Sequence, residues 1–162
     1  NRQVPLRVTC LKLQKITLTV TYHIQMDLKN HIIKIIDHCN SFAKEMLNEK
    51  EKEFFPFGVI INNTNELIPI AANPGKNDSP ESQDVIDFLK DYFKQEFDSN
   101  KIKAFAIAYD VIVTDPENGR KSDALLVDMT HKEDINIPVY YFPYSWNSDD
   151  DLIFGKSYGI KR

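Results

Sequence analysis

Cysteine is scarce: the only two in 162 residues are Cys10 and Cys39. They stand far apart without CxxC spacing, which excludes a disulfide framework or a zinc ribbon, and both read as reduced, structural thiols. No apolar run approaches the roughly 18 residues of a membrane span. No basic stretch leads into an apolar run with small residues, as a signal peptide would. The default expectation is a cytoplasmic protein with no membrane association. Catalytic signatures are missing too: there is no GxSxG, no HExxH and no GxxxxGK[ST]. Ser145, His131 and Asp149 have the residue types of a triad but no motif that would assemble one. The expectation is therefore no catalytic set, no bound metal and no cofactor.

Dense positive charge is also lacking. Residues 1 to 25 hold Arg2, Arg7, Lys12 and Lys15 and no acid, which leaves 16 of the 20 basic groups against all 24 acids, a net −8 for the rest of the chain. That body repels nucleic acid phosphate, and four scattered cations are too sparse for a nucleic acid arm.

What is present suits one domain. With 162 residues and 42% hydrophobic content, a chain of this size buries roughly 68–70% of its unfolded surface and needs no staple. Leu11, Leu13, Ile16, Leu18, Val20, Tyr22 and Ile24 alternate with polar residues, four of them Lys15, Thr17, Thr19 and Thr21, and predict a half-buried strand. Met26 and Asp27 then read as the opening of a helix over about residues 28–51, with Asp27 as N-cap and residues 1–25 as an extension or accessory strand. Its apolar face is Leu28, Ile32, Ile35, Cys39, Phe42 and Met46. His31 and His38 on it are roughly two turns apart, too far for a metal pair, and are expected to face solvent.

The segment "GVIINNTNELIPIAA" predicts two strands joined by an Asn-rich turn, the second at a sheet edge because Pro69 lacks an N–H. "NPGKNDSPES" is a connecting loop with Gly75 and Lys76 ahead of a helix capped by Ser79, with Pro80 at its first position and Val85, Ile86, Leu89, Tyr92, Phe93 and Phe97 as its apolar face. "IKAFAIAYDVIV" is apolar on both sides, Ala104, Ala106 and Ala108 on one and Phe105, Ile107 and Tyr109 on the other, so it predicts a central strand covered on both faces. Three more strands follow as a meander. The fold expected is α+β, a mainly antiparallel sheet of five to seven strands with two helices in a two-layer packing, one domain over residues 1–162.

The acids of "AYDVIVTDPENGRKSDALLVDMTH" do not converge. Asp123 and His131 share a strand face but are about 26 Å apart, and Asp128 points the other way; Asp115 and Glu117 serve a turn. A two-residue turn at Asn118 and Gly119 sets Asp110 opposite position 127, so a cation between Asp110 and Asp128 needs a bulge. A metal-dependent hydrolase built on that pair is the alternative function. The favoured one comes from "VYYFPYSWNSDDD": its aromatics exceed what one sheet face buries, and Tyr140, Tyr144 and Trp146 with Asp149 and Asp150 have the composition of an interface with an acidic rim. The expectation is a non-enzymatic interaction protein that binds a basic protein partner or itself. An immunity-type protein that neutralises a basic toxin is one form.

"FFPFG", "SDALLVDMTH" and "FPY", across roughly residues 28–160, resemble the pattern of a family of short, uncharacterised bacterial α+β proteins. That resemblance implies no activity, cofactor or catalytic residue. The element order also resembles roadblock and profilin-like domains in layout alone.

Overall fold

Neither glycine nor proline interrupts residues 6 to 47, and the whole stretch is one helix, α1 (Leu6–Leu47), of 42 residues. At 1.5 Å per residue it is roughly 63 Å long. The computed structural model describes residues 6–49, 52–72, 80–114 and 119–162, with α1 side chains from Thr21 onward. The strand expected over residues 11–24 is helical instead, and Asp27 is an exposed residue within the helix and not its cap. A helix closes its hydrogen bonds locally, whereas an alternating segment becomes a strand only beside a partner. Cys10, Gly75, Lys76, Ser79, Asp115, Glu117 and Asn118 lie outside the described side chains.

After α1 come β1 (Phe57–Asn62), β2 (Leu67–Ile70), α2 (Ser82–Asp98), β3 (Ile102–Thr114), β4 (Lys121–His131), β5 (Val139–Trp146), β6 (Leu152–Phe154) and β7 (Tyr158–Ile160). The strands form one seven-stranded sheet in the order β2-β1-β3-β4-β5-β6, with β7 also on β5. Every pairing is antiparallel. The fold is thus α+β, as the pattern predicts, and Pro69 sits on the edge strand β2.

β3 organises both faces. Ala104, Ala106 and Ala108 meet α1 in a core with Ile35, Cys39, Ala43, Leu47, Leu125, Val127 and Met129. Small side chains there let the helix approach the sheet closely. On the other face Ile107 packs with Ile60 and Ile102 beneath Val85, Leu89 and Phe93 of α2, flanked by Phe105. Glu81 is the α2 N-cap, without a side-chain cap bond, and Asn100 closes the far end at φ 60. α2 rests chiefly on β3 and β1, with Ile70 of β2 beside them, and among the described residues the core beneath it takes no side chain from β4, β5 or β6.

One close approach locks α2 to β1. A Cβ built on Gly58 would stand 2.3 Å from Phe93 Cζ, and Phe93 is fully buried, so its ring has no free space to enter. Gly58→Ala should destabilise by about 1–3 kcal/mol, the usual range for overpacking. In a double-mutant cycle with Phe93→Leu the loss should shrink, because the obstructing ring is gone. Equal effects of Gly58→Ala in both backgrounds, read by urea unfolding, would remove this account.

Candidate functional site

Strand parity divides the aromatic segment. Tyr140, Phe142 and Tyr144 stand opposite Val127, Leu125 and Asp123, on the α1 side, where Tyr144 is buried in the core and Tyr140, Phe142 and Trp146 pack against that core. Tyr144 is only 4% exposed. Of the expected binding residues Tyr140, Tyr144, Trp146, Asp149 and Asp150, Tyr144 is therefore a core residue and Tyr140 and Trp146 are half-buried. Asp149 and Asp150 are exposed in the β5–β6 turn. Every second residue of β5 must enter the core, which the count of aromatics alone does not reveal. At the turn itself, the Lys52 ammonium pairs with Asp150 and lies 5.5 Å from the centre of the Trp146 ring.

Asp110 and Asp128 fall on opposite faces of the sheet. Asp110 pairs with Leu125 in register, whereas Asp128 pairs with Ile107. The Tyr144 hydroxyl donates to Asp110 Oδ1 at 2.8 Å, and Arg162 forms an ion pair with Asp128. Two carboxylates with the sheet between them cannot hold one cation, so the hydrolase arrangement does not form. Among the described residues no three His, Cys, Asp or Glu side chains gather as metal ligands. Desolvation raises the Asp110 carboxyl above its usual range, the Tyr144 hydrogen bond opposes this, and Asp123 and Glu53 add to the rise. Burial and the Asp110 carboxylate push the Tyr144 phenol up.

Parity also builds a surface on the other side. Tyr109 stands opposite Leu126, Leu126 opposite Tyr141, and Tyr141 opposite Tyr158. The result is one cross-strand row over β3, β4, β5 and β7. Tyr141 and Tyr158 stack with centroids 5.3 Å apart and planes 12° from parallel. Leu126 is 7% exposed without a helix above it, because a tyrosine flanks it on each side. Ile153, one strand further out opposite Ser145, is 48% exposed.

At the other end of the α1 face, β4 finishes at His131, and His31 of α1 meets it. Both are 3% exposed, and His31 Nδ1 lies 3.0 Å from His131 Nε2. The Glu133 backbone N–H donates to His131 Nδ1 at 3.0 Å. His131 Nδ1 is therefore the acceptor nitrogen, its proton is on Nε2, and that N–H donates to His31 Nδ1. A ligand histidine needs a proton on its second nitrogen, but that place on His131 already faces an N–H, so the pair is a hydrogen-bonded one and not a ligand set. Beside it opens a cleft of about 290 Å³ lined by Ile24, Asp27, Asn63, Lys103, Lys132 and Glu133 with the two imidazoles. The expectation of solvent-facing histidines is thus reversed for His31, and His38 is half-buried, stacked on Phe42. The signal was in the spacing: His31 stands one turn before Ile35 and so continues the apolar stripe of α1.

Comparison with protein-family models, with curated proteins and with solved structures finds no match to this chain.

Tyr144→Phe removes the donor that stabilises ionised Asp110. The Asp110 carboxyl should then titrate at higher pH than in the parent, followed by carboxyl-carbon NMR, with a stability loss of about 1 kcal/mol near neutrality. An unmoved Asp110 midpoint would show that the hydroxyl does not act on it.

Proposed function

We propose that this protein is a non-enzymatic binding module that engages a basic protein partner through the open half of its sheet. The observation that carries the reading is the row Leu126, Tyr141 and Tyr158 on β4, β5 and β7, beyond the strands on which α2 rests, joined to the α2-side core by Tyr109 of β3. Tyrosine offers a large, stiff contact area with a polar tip and is favoured at the centre of protein interfaces. Ile153 extends the apolar centre along the β5–β6 hairpin, and Asp149 and Asp151 in its turn supply an acidic rim, while Asp150 is paired with Lys52 beside Trp146. The net −8 of residues 26–162 favours a cationic partner at long range. The pairing of Lys52 with Asp150 over Trp146 is the same chemistry within one chain.

The test compares the parent with the double variant Tyr141→Ser, Tyr158→Ser and with the core variant Tyr144→Phe, using immobilised protein and native extract. A basic protein held by the parent in a salt-sensitive way should bind the double variant at least about tenfold more weakly, which corresponds to about 1.4 kcal/mol. Tyr144→Phe should keep full binding. Capture of the same protein by all three chains would refute the surface assignment, and sedimentation of the parent alone as a stable dimer would assign the face to self-association instead.

A further inference from the structure

The site is the contact where, among the described side chains, α1 first meets the sheet. Residues 21–27 of α1 are exposed and Leu28 is half-buried, whereas Ile35, Cys39, Ala43 and Leu47 are fully buried. Between these two regimes the first buried side chain is His31, and its partner across the interface is His131.

We propose that His31 and His131 form a proton-operated latch: neutral, they hold the start of the docked part of α1 to the end of β4, and protonation releases that part of the helix while the remainder stays docked.

The hydrogen-bond chain explains the sensitivity. Glu133 N–H donates to His131 Nδ1, and His131 Nε2–H donates to His31 Nδ1. A proton added to His131 faces the Glu133 N–H, and a proton added to His31 Nδ1 faces the His131 N–H. Either way two hydrogens meet where one hydrogen bond stood, and a buried charge is created as well. The surroundings are mixed. On α1, Asp27 favours protonation of His31 and Lys34 opposes it; Lys103 of β3 opposes it for both rings; Asp134 after β4 favours it for His131. Lys132 and Glu133 also line the cleft, the former held by Asn100 Oδ1 at 2.7 Å beside the Phe97 ring of α2. Asn65 of the β1–β2 turn hydrogen-bonds His31 and accepts from Lys103 at 2.6 Å.

The direction follows from burial. Desolvation is the first cause of the lowered proton affinity of each ring, and His131 is brought down to about 4 from an ordinary 6.5. A group whose pKa is depressed in the fold contributes stability above its unfolded value and loses it as pH falls through the folded one. The latch is closed above about pH 6.5 and opens on the way down to about pH 4. The opening is local because the core residues of α1 from Ile35 onward hold the helix by apolar burial that needs no proton.

The experiment is amide hydrogen exchange on the full chain at about pH 7 and about pH 4, corrected for the intrinsic pH dependence of exchange. Protection of residues 24–31 should fall at least about tenfold at the lower pH while residues 35–47 change far less. The double variant His31→Gln, His131→Gln, which keeps donors and acceptors but cannot titrate at either position, should abolish the difference, and His38→Gln should leave it intact. Independently of any variant, ring-proton NMR of the parent should show His31 and His131 titrating together, below the ordinary imidazole range. The proposal is overturned by cooperative loss of protection throughout α1, by an unchanged response in the double variant, by its disappearance in His38→Gln, or by either ring titrating alone near pH 6.5.

Discussion

The pairing of β3 with β4 is the constraint from which the rest of the structure follows. It runs without a break from Ala104 opposite His131 to Thr114 opposite Lys121, and each matched pair shares a face. A two-residue turn at Asn118 and Gly119 would set Asp110 opposite Val127. The ladder is instead offset by two residues, so that Asp110 faces Leu125 and Val127 faces Ala108. A slide of two residues changes neighbours but keeps every side chain on its face, whereas a slide of one would exchange the faces. This is why Asp110 and Asp128 are separated by the sheet, why Asp123 and His131 share the α1 side, and why Leu126 lies in a row with Tyr109 and Tyr141.

The legible parts of the fold were those whose pattern is local. Two-sided apolarity marked β3 as central, Pro69 marked an edge, "NNTN" marked a hairpin, and the stripe from Val85 to Phe97 marked α2. The start of α1 was not legible, because alternation from Leu11 to Ile24 is compatible with a strand, and the choice between strand and helix depends on context beyond the segment. Composition likewise marked the aromatic segment but not its division. Tyr141 and Tyr140 are adjacent in sequence and opposite in environment, and which one enters the core depends on the β4 register, a long-range fact.

The histidines show the same limit from another side. His31 has the spacing of a core residue and the polarity of a surface one, and polarity alone points outward. What makes burial tolerable is a partner one hundred positions away in sequence, together with the Glu133 N–H that fixes the tautomer of that partner. A buried polar group is acceptable when its hydrogen bonds are complete. His38 has no such arrangement: its Nε2 is buried without a hydrogen-bond partner among the described residues, and its ring stacks on Phe42.

β4 connects the tyrosine row and the histidine pair, and also keeps them mechanically apart. Leu126 faces one side of this strand and His131, at its end, the other. Between them, Val127 and Met129 are buried against α1, and the backbone of β4 is bonded to β3 on one side and to β5 on the other. Loss of a contact at His131 frees a helix that lies on top of the sheet and breaks no bond of the β3–β4–β5 ladder. The tyrosine face can therefore keep its geometry whether α1 is fully docked or released at its start. Apolar burial behind Ile35 and strand pairing beneath Leu126 make the two events energetically independent.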